Sequence, residues 1–449
     1  MEKGNLSVNE LVLVGVGGIL GAGFFLASGI AIHTAGPIVL LDYVISAFIM
    51  SEVFCALSEM IVANPVDGSF RVYAEEALGD IGGFLSGWVY WTAGVFIMSS
   101  EVTASAIFTK FWFPKVPLWI FALIYSIMVI CVNALGTKNF GTVESWFSTI
   151  KVSALFIITV IGIFALFGTF GNKGEIGFKN YYIHGGFSPN GIKGFLGAML
   201  MSLIPFGGIE VTAMTASKTK KPKKYVPIAR RYIVLFLSIL YLSSIAVLLG
   251  VIPWYEVSTK ESPFIKLLSF TKIPYIDSIM NFIILTAALT TMNGAMYGVT
   301  QVMYSLGKGR FAPTFLSKLS KRDVPIYALL ISSFGLLVAV VLSYILPKDV
   351  YEYITSATGF IQFFNWIIIL YTFIRYRPML KKKNPDYFEC QKHGFPLRPW
   401  FTIILLTAVL LSTLIVPKQA IGFFGGLILL IAIFTFYLIA KKLNLFDKW

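Results

Sequence analysis

Three ionisable residues, Glu101, Lys151 and Glu210, stand inside long apolar stretches of this chain. Placing a charge within a membrane costs about 2.5–3.5 kcal/mol on insertion scales, so such groups are functional candidates: they can hold a cation, carry a proton or pair with one another. Two glycine-rich interruptions accompany them. Val14 to Gly29 reads VGVGGILGAGFFLASG, with Gly15, Gly17, Gly18, Gly21 and Gly23 in its middle, and Pro205 to Glu210 reads PFGGIE. Glycine inside a helix costs about 1 kcal/mol against alanine, so both places are expected to open and free backbone groups. Freed amides at a half-helix N-terminus suit an anion, whereas freed carbonyls suit a cation.

Each side chain also has a plainer reading. Glu210 could cap unwound backbone, attract an ammonium group or carry a proton, or do no more than satisfy freed amides. Glu101, among Ser99, Ser100 and Thr103, could meet a polar or cationic group, or pair within a helix bundle. Asn293 and Gly294 fall in the middle of an apolar stretch, where a small residue leaves room for a ligand but serves helix packing equally well. Glu52 and Glu59 are seven residues apart and share a helix face. Asp42 reads as interfacial and His33 as a solvated residue near a span end. Aromatic clusters such as Trp88, Tyr90 and Trp91, or Phe111-Trp112-Phe113, fit packing and interfacial belts.

The elements that must position these groups are membrane spans. Of 449 residues, 57% are hydrophobic and 13% charged, which excludes an ordinary soluble domain. At about 20 residues per crossing, twelve spans are expected, at roughly 11–32, 38–62, 84–108, 117–136, 148–169, 192–214, 232–252, 279–306, 326–346, 353–374, 400–416 and 420–440. The fold class is thus an all-α polytopic membrane protein. Its net charge of +14 would suit nucleic acid. Its distribution argues otherwise, because Lys and Arg gather in alternate loops, most densely at Lys218, Lys220, Lys221, Lys223, Lys224, Arg230 and Arg231, and at Arg375, Arg377, Lys381, Lys382 and Lys383. This positive-inside pattern places both termini in the cytoplasm and gives the protein a bilayer, with anionic lipid at the cytoplasmic face, rather than nucleic acid as a partner. The start, MEKGNLSVNE, lacks a basic leader, so the first span is expected to be retained.

Cys55, Cys131 and Cys390 offer no disulfide framework, being odd in number with two inside spans. No HExxH, CxxC, GxSxG or GxxxxGK[ST] pattern occurs, so neither catalysis nor ATP hydrolysis has sequence support. The interruptions at Gly21 and Gly207 lie in the first and sixth spans. That spacing predicts two five-helix units of opposite topology, residues 1–170 and 191–375, followed by two further helices in 399–449, and paired interruptions of this kind point to a substrate site in a secondary transporter.

The residues themselves resemble a known family. GVGGILGAGFFLASG is similar to the first-helix signature of the amino acid–polyamine–organocation superfamily, and ALSEMIVANPVDGSFRVYAEEALG to the bacterial amino acid permease pattern. SSEVTASAIFTKFWFPKVPLW, NFGTVESWFSTIKV, GGFSPNGIKGFLGAML, FGGIEVTAMTASKTKKPKKYVPIA and MYSLGKGRFAP resemble later blocks in order.

The resemblance implies a five-plus-five inverted-repeat fold with helices 1 and 6 broken, and alternating-access uptake of a free amino acid driven by an ion gradient. It places the α-carboxylate on backbone amides of Gly21-Ala22-Gly23 and the α-ammonium on carbonyls near Ile19, Phe206, Gly207 and Ile209. Phe206 becomes an aromatic gate, and Lys151 a fixed cation that reaches helix 1 carbonyls, the alternative being that it snorkels to the cytoplasm. The chain departs from the family where Ala22 replaces Ser or Thr, Lys218 replaces Glu and Gln301 replaces Arg.

The expectation is therefore a cytoplasmic-membrane permease importing an amino acid by proton symport, with Lys151 and Glu210 in ion coupling. No cofactor is expected beyond the proton gradient. An exchanger on the same fold, or a transporter-like sensor, are the alternatives.

Overall fold

The computed structural model describes residues 7–448 apart from 67–68, 137–139, 169–176, 217–218, 220, 260, 270, 272, 347–349, 384–389 and 391–393. Lys218 and Lys220 of the basic cluster therefore lie outside the described residues, as does the side chain of Lys383. No strand occurs among the described residues.

The first apolar segment forms two helices, α1 (Val8–Ile19) and α2 (Ala22–Ala35). They are followed by α3 (Val39–Ala63), α4 (Ser69–Leu78), α5 (Asp80–Lys110), α6 (Leu118–Ala134) and α7 (Phe140–Leu166). Next come α8 (Gly191–Leu203) and α9 (Ile209–Ala216), then α10 (Pro222–Val251), α11 (Pro263–Ser269), α12 (Ile276–Lys308) and α13 (Ile326–Ile345). The chain closes with α14 (Val350–Lys383), α15 (Leu397–Ser412), α16 (Pro417–Lys442) and α17 (Leu445–Lys448). Among the described residues, ten helical stretches are long and apolar enough to cross a bilayer, and α1 and α6 are shorter apolar helices. The molecule is thus a polytopic membrane protein.

Local chemistry explains where α1 begins and ends. Ser7 and Glu10 form a capping box: the Ser7 hydroxyl accepts from the Glu10 amide at 3.3 Å, and Glu10 Oε2 accepts from the Ser7 amide at 2.8 Å. The helix stops at Leu20 and Gly21, the latter extended at φ −107° and ψ −169°. Between α8 and α9 a 3-10 turn, Ile204–Phe206, contains Pro205, which has no amide to continue a helix.

Large apolar side chains lie exposed along α7 (Phe156, Phe164), α13 (Phe334, Val341) and α16 (Ile428, Ile431). Such surfaces suit hydrocarbon rather than water. The core instead gathers on α2, α5, α8, α12 and α14, with α5 packed on both α12 and α14.

Asp42, read as interfacial, is wholly buried within the protein in the first turn of α3. One sequence expectation is corrected here. Cys55 and Cys390, read as offering no framework, are joined as a disulfide with Cα atoms 5.7 Å apart. A separation of 335 residues makes that pairing a product of tertiary structure, which spacing cannot disclose.

Candidate functional site

The two helix interruptions meet at close range. Gly208 has φ +100°, a conformation that favours glycine, and a Cβ on it would lie 2.7 Å from the Gly18 carbonyl oxygen. Across the first interruption, a Cβ on Gly21 would lie 2.5 Å from Glu101 Oε1 and 2.9 Å from Thr291 Cγ2. Only residues without side chains permit this approach of α1, α2, α5, α9 and α12. The result is a cleft of about 820 Å³, counting its open mouth, lined by Gly18, Ile19, Gly21 and Gly23, by Gly207, Gly208 and Glu210, and by faces of α5, α12 and α14.

Glu101 reaches this cleft from α5 and is 6% exposed. Its Oε2 accepts a hydrogen bond from the Ala22 amide at 3.1 Å. The N-terminus of α2 thus holds an anion, as free helix-start amides favour, and that anion belongs to the protein. Lys151 is fully buried on α7, and its Nζ donates to the Gly17 carbonyl at 2.9 Å. Its head points into the bundle, which departs from snorkelling.

Glu210 opens α9 and is fully buried. Three donors from α14 converge on its Oε1: Gln362 Nε2 at 2.6 Å, Trp366 Nε1 at 2.7 Å and Asn365 Nδ2 at 3.3 Å. Its Oε2, like Gln362 Oε1, makes no hydrogen bond among the described residues. The cleft therefore keeps open acceptors on the Glu210 side, while the Ala22 amide at the helix start is engaged by Glu101.

Of the residues singled out in sequence, Ile19, Gly21, Gly23, Gly207, Glu101, Glu210 and Gly294 line the cleft. Ala22 contributes its amide from behind the lining and is wholly buried. Phe206 and Ile209 are also wholly buried and do not line it; the Phe206 ring packs against Tyr241, with centroids 5.1 Å apart, and against Tyr43 at 6.3 Å. Asn293 points to α6, where its Oδ1 accepts from Asn133 Nδ2 at 2.6 Å. Glu59 pairs with Arg377 of α14 at 2.6 Å and accepts from the Cys390 amide, whereas Glu52 pairs with Arg398 at the start of α15.

Sequence reasoning missed α14 altogether. Tyr351, Thr355, Thr358, Gln362 and Phe363 of this helix line the cleft. The signal was present: Thr355, Thr358, Gln362 and Asn365 recur at three- and four-residue steps in an otherwise apolar stretch, which puts a polar stripe on one helix face.

These features define a multi-pass helical membrane protein built around an internal cleft where two helix interruptions meet. The family model described as "Amino acid permease" matches residues 10–448. The chain is 32% identical over 451 residues to the gamma-aminobutyric acid permease of Bacillus subtilis (strain 168), covering 99% of this chain and 95% of that protein. It is 33% identical over 448 residues to the amino-acid permease RocC of the same organism, covering 98% and 95%. A third relative there, the amino-acid permease AapA, is 32% identical over 420 residues, covering 93% and 91%. The chain belongs to the amino acid permease family, whose members are transporters rather than enzymes.

Proposed function

We propose that this permease imports a free amino acid across the cytoplasmic membrane by proton symport, alternating access between the two sides of a central site. In this reading the chain makes twelve crossings with both termini cytoplasmic. Residues 1–170 and 191–375 form the two inverted repeats, and 399–449 is an addition to them. The substrate α-carboxylate takes the amides at Gly21, Ala22 and Gly23, and the α-ammonium sits against carbonyls near Ile19 and Gly207 and the free oxygen of Glu210. Lys151 and Glu210 serve ion coupling, and Phe206 closes over the substrate by a movement of α8.

The observation that carries the reading is the meeting of two interrupted helices on one cleft, with amides at one break and a buried acid at the other. Dipole ends at broken helices are how carriers hold charged substrates at the bilayer midplane. The apolar and glycine faces of the cleft at Ile97, Val211, Gly294 and Ala295 favour a neutral substrate. The name of the gamma-aminobutyric acid permease adds an ω-amino acid to the compounds worth testing.

Reconstitution in proteoliposomes tests the proposal. A panel of amino acids competing against one labelled tracer identifies the substrate, and uptake is then followed with and without an inward proton gradient. Accumulation above equilibrium only with the gradient is expected. Counterflow alone would replace symport by exchange, and binding without movement would leave a sensor.

A further inference from the structure

We propose that Glu101 is a tethered stand-in for the substrate carboxylate: it holds the Ala22 amide at the start of α2 and yields it, on taking up a proton, to the carboxylate of an incoming amino acid. The proposal rests on the permease reading above and gives its proton a place in the cycle. The Ala22 amide, among the donors that reading assigns to the substrate, is engaged by Glu101, with the Gly23 amide next to it in the chain. Oε1 already stands beside Gly21, where an added Cβ would lie 2.5 Å from it, so the carboxylate fills the space next to that backbone. Two ionised carboxylates cannot share one amide in a dry site, since each would face the other's charge without water to screen it. Protonation resolves the conflict: a neutral carboxyl is a weaker acceptor and gains an O–H to donate elsewhere.

The acceptors point the same way. Glu210 Oε2 and Gln362 Oε1, on cleft-lining residues, have no partners among the described residues, so acceptors for an ammonium stand unengaged. A carboxylate finds the Ala22 amide only after Glu101 has let go. The groups around Glu101 that carry or can carry charge are Lys151 from α7 and Tyr351 from α14, both within electrostatic reach, with Glu210 of α9 and Tyr90 of α5 lining the same cleft. From α12 the uncharged Thr291 stands at the same Gly21 backbone, and α2 presents the Ala22 amide. One proton from solvent binds the Glu101 carboxylate as the substrate enters and leaves when the amide returns to Glu101, so one proton travels with each substrate.

Two probes of purified protein test this: an amino acid chosen by the competition panel and the primary amine it becomes without its carboxylate, L-leucine and isoamylamine for instance. Wild-type affinity for the amino acid should fall about tenfold or more from pH 5.5 to 8.5, while affinity for the amine, charged throughout, changes less than about twofold. Glu101→Gln should bind the amino acid at pH 8.5 at least as tightly as wild type does at pH 5.5, with a flat profile. Parallel slopes for amine and amino acid, or a slope that survives in Glu101→Gln, would overturn the proposal and leave the permease reading standing. Binding of no amino acid from the panel at any pH would overturn both. Should the variant fail to fold, the comparison of amine with amino acid in wild type still decides.

Discussion

Gly208 stands against the carbonyl of Gly18 so closely that a Cβ would lie 2.7 Å from its oxygen, and this contact joins the two helix interruptions. The neighbour is backbone, which cannot swing away as a side chain could. Gly208→Ala adds that clash to a φ of +100°, a conformation costing an L-residue about 1–3 kcal/mol. Thermal unfolding in detergent should show a clear loss for this variant and almost none for Gly425→Ala, whose Cβ would meet nothing within 4 Å. Equal stability of the two would mean that the breaks do not bear on one another.

Lys151 supplies the next prediction. A fully buried ammonium bonded to the Gly17 carbonyl ties α7 to the last turn of α1 beside the interruption. Burying such a charge without purpose is costly, and its removal frees α1 from α7. In proteoliposomes Lys151→Ala should lose gradient-driven accumulation by about tenfold or more while retaining counterflow of the same amino acid. Undiminished accumulation would reduce Lys151 to a packing residue.

Much of this architecture was legible in the residues, for physical reasons that also mark where legibility ended. Gly21 and Gly207 disclosed the breaks because glycine is penalised in helices wherever no close approach demands it. Glu101, Lys151 and Glu210 disclosed themselves as charges in apolar surroundings. What each one touches depends on register between helices far apart in sequence, and no local pattern encodes that. Phe206 adjoins the break yet packs on Tyr241, and Asn293 adjoins Gly294 yet turns to Asn133, because successive helical residues face different directions. The polar stripe of α14 was readable and went unread, since hydroxyls and amides stand out less than charges do.

The N-terminal cap of α1 makes a prediction about pH. The backbone and side-chain hydrogen bonds from Ser7 hold the Glu10 carboxyl below its ordinary value. Because the folded value is depressed, the cap's contribution is present above the ordinary carboxylate range and is lost as pH falls through the folded value. Ser7→Ala should cost about 1 kcal/mol at the start of α1, read as faster amide hydrogen exchange in residues 8–12 at pH 7. That difference should narrow on acidification, when a protonated Glu10 no longer accepts from the Ser7 hydroxyl, a bond the variant lacks at every pH. A gap independent of pH would assign the cap to the Ser7 hydroxyl accepting from the Glu10 amide.

Glu210 depends on α14 for its environment. Trp366 Nε1 and Gln362 Nε2 donate to the same oxygen at 2.7 and 2.6 Å, and hydrogen bonds to a charged group are worth about 1.5–3 kcal/mol each. Trp366→Phe keeps an aromatic ring in the core but removes one donor. Its expected result is a thermal stability loss of that order, and Glu210→Gln in the same background should make the loss smaller, because the neutral amide needs the donor less. Additive losses in the double variant would show that the indole acts by filling space.

Gly294 lines the cleft beside Ala295, three residues along α12 from Thr291, which stands at the first interruption. A valine there would narrow the cleft by three carbons. Compounds should then be excluded in order of side-chain size: alanine and glycine should compete in the panel about as well as in wild type, and leucine or phenylalanine about tenfold less well, as for a pocket short of roughly 1.4 kcal/mol of packing. A uniform loss across all sizes would place Gly294 in the packing of α12 against its neighbours instead.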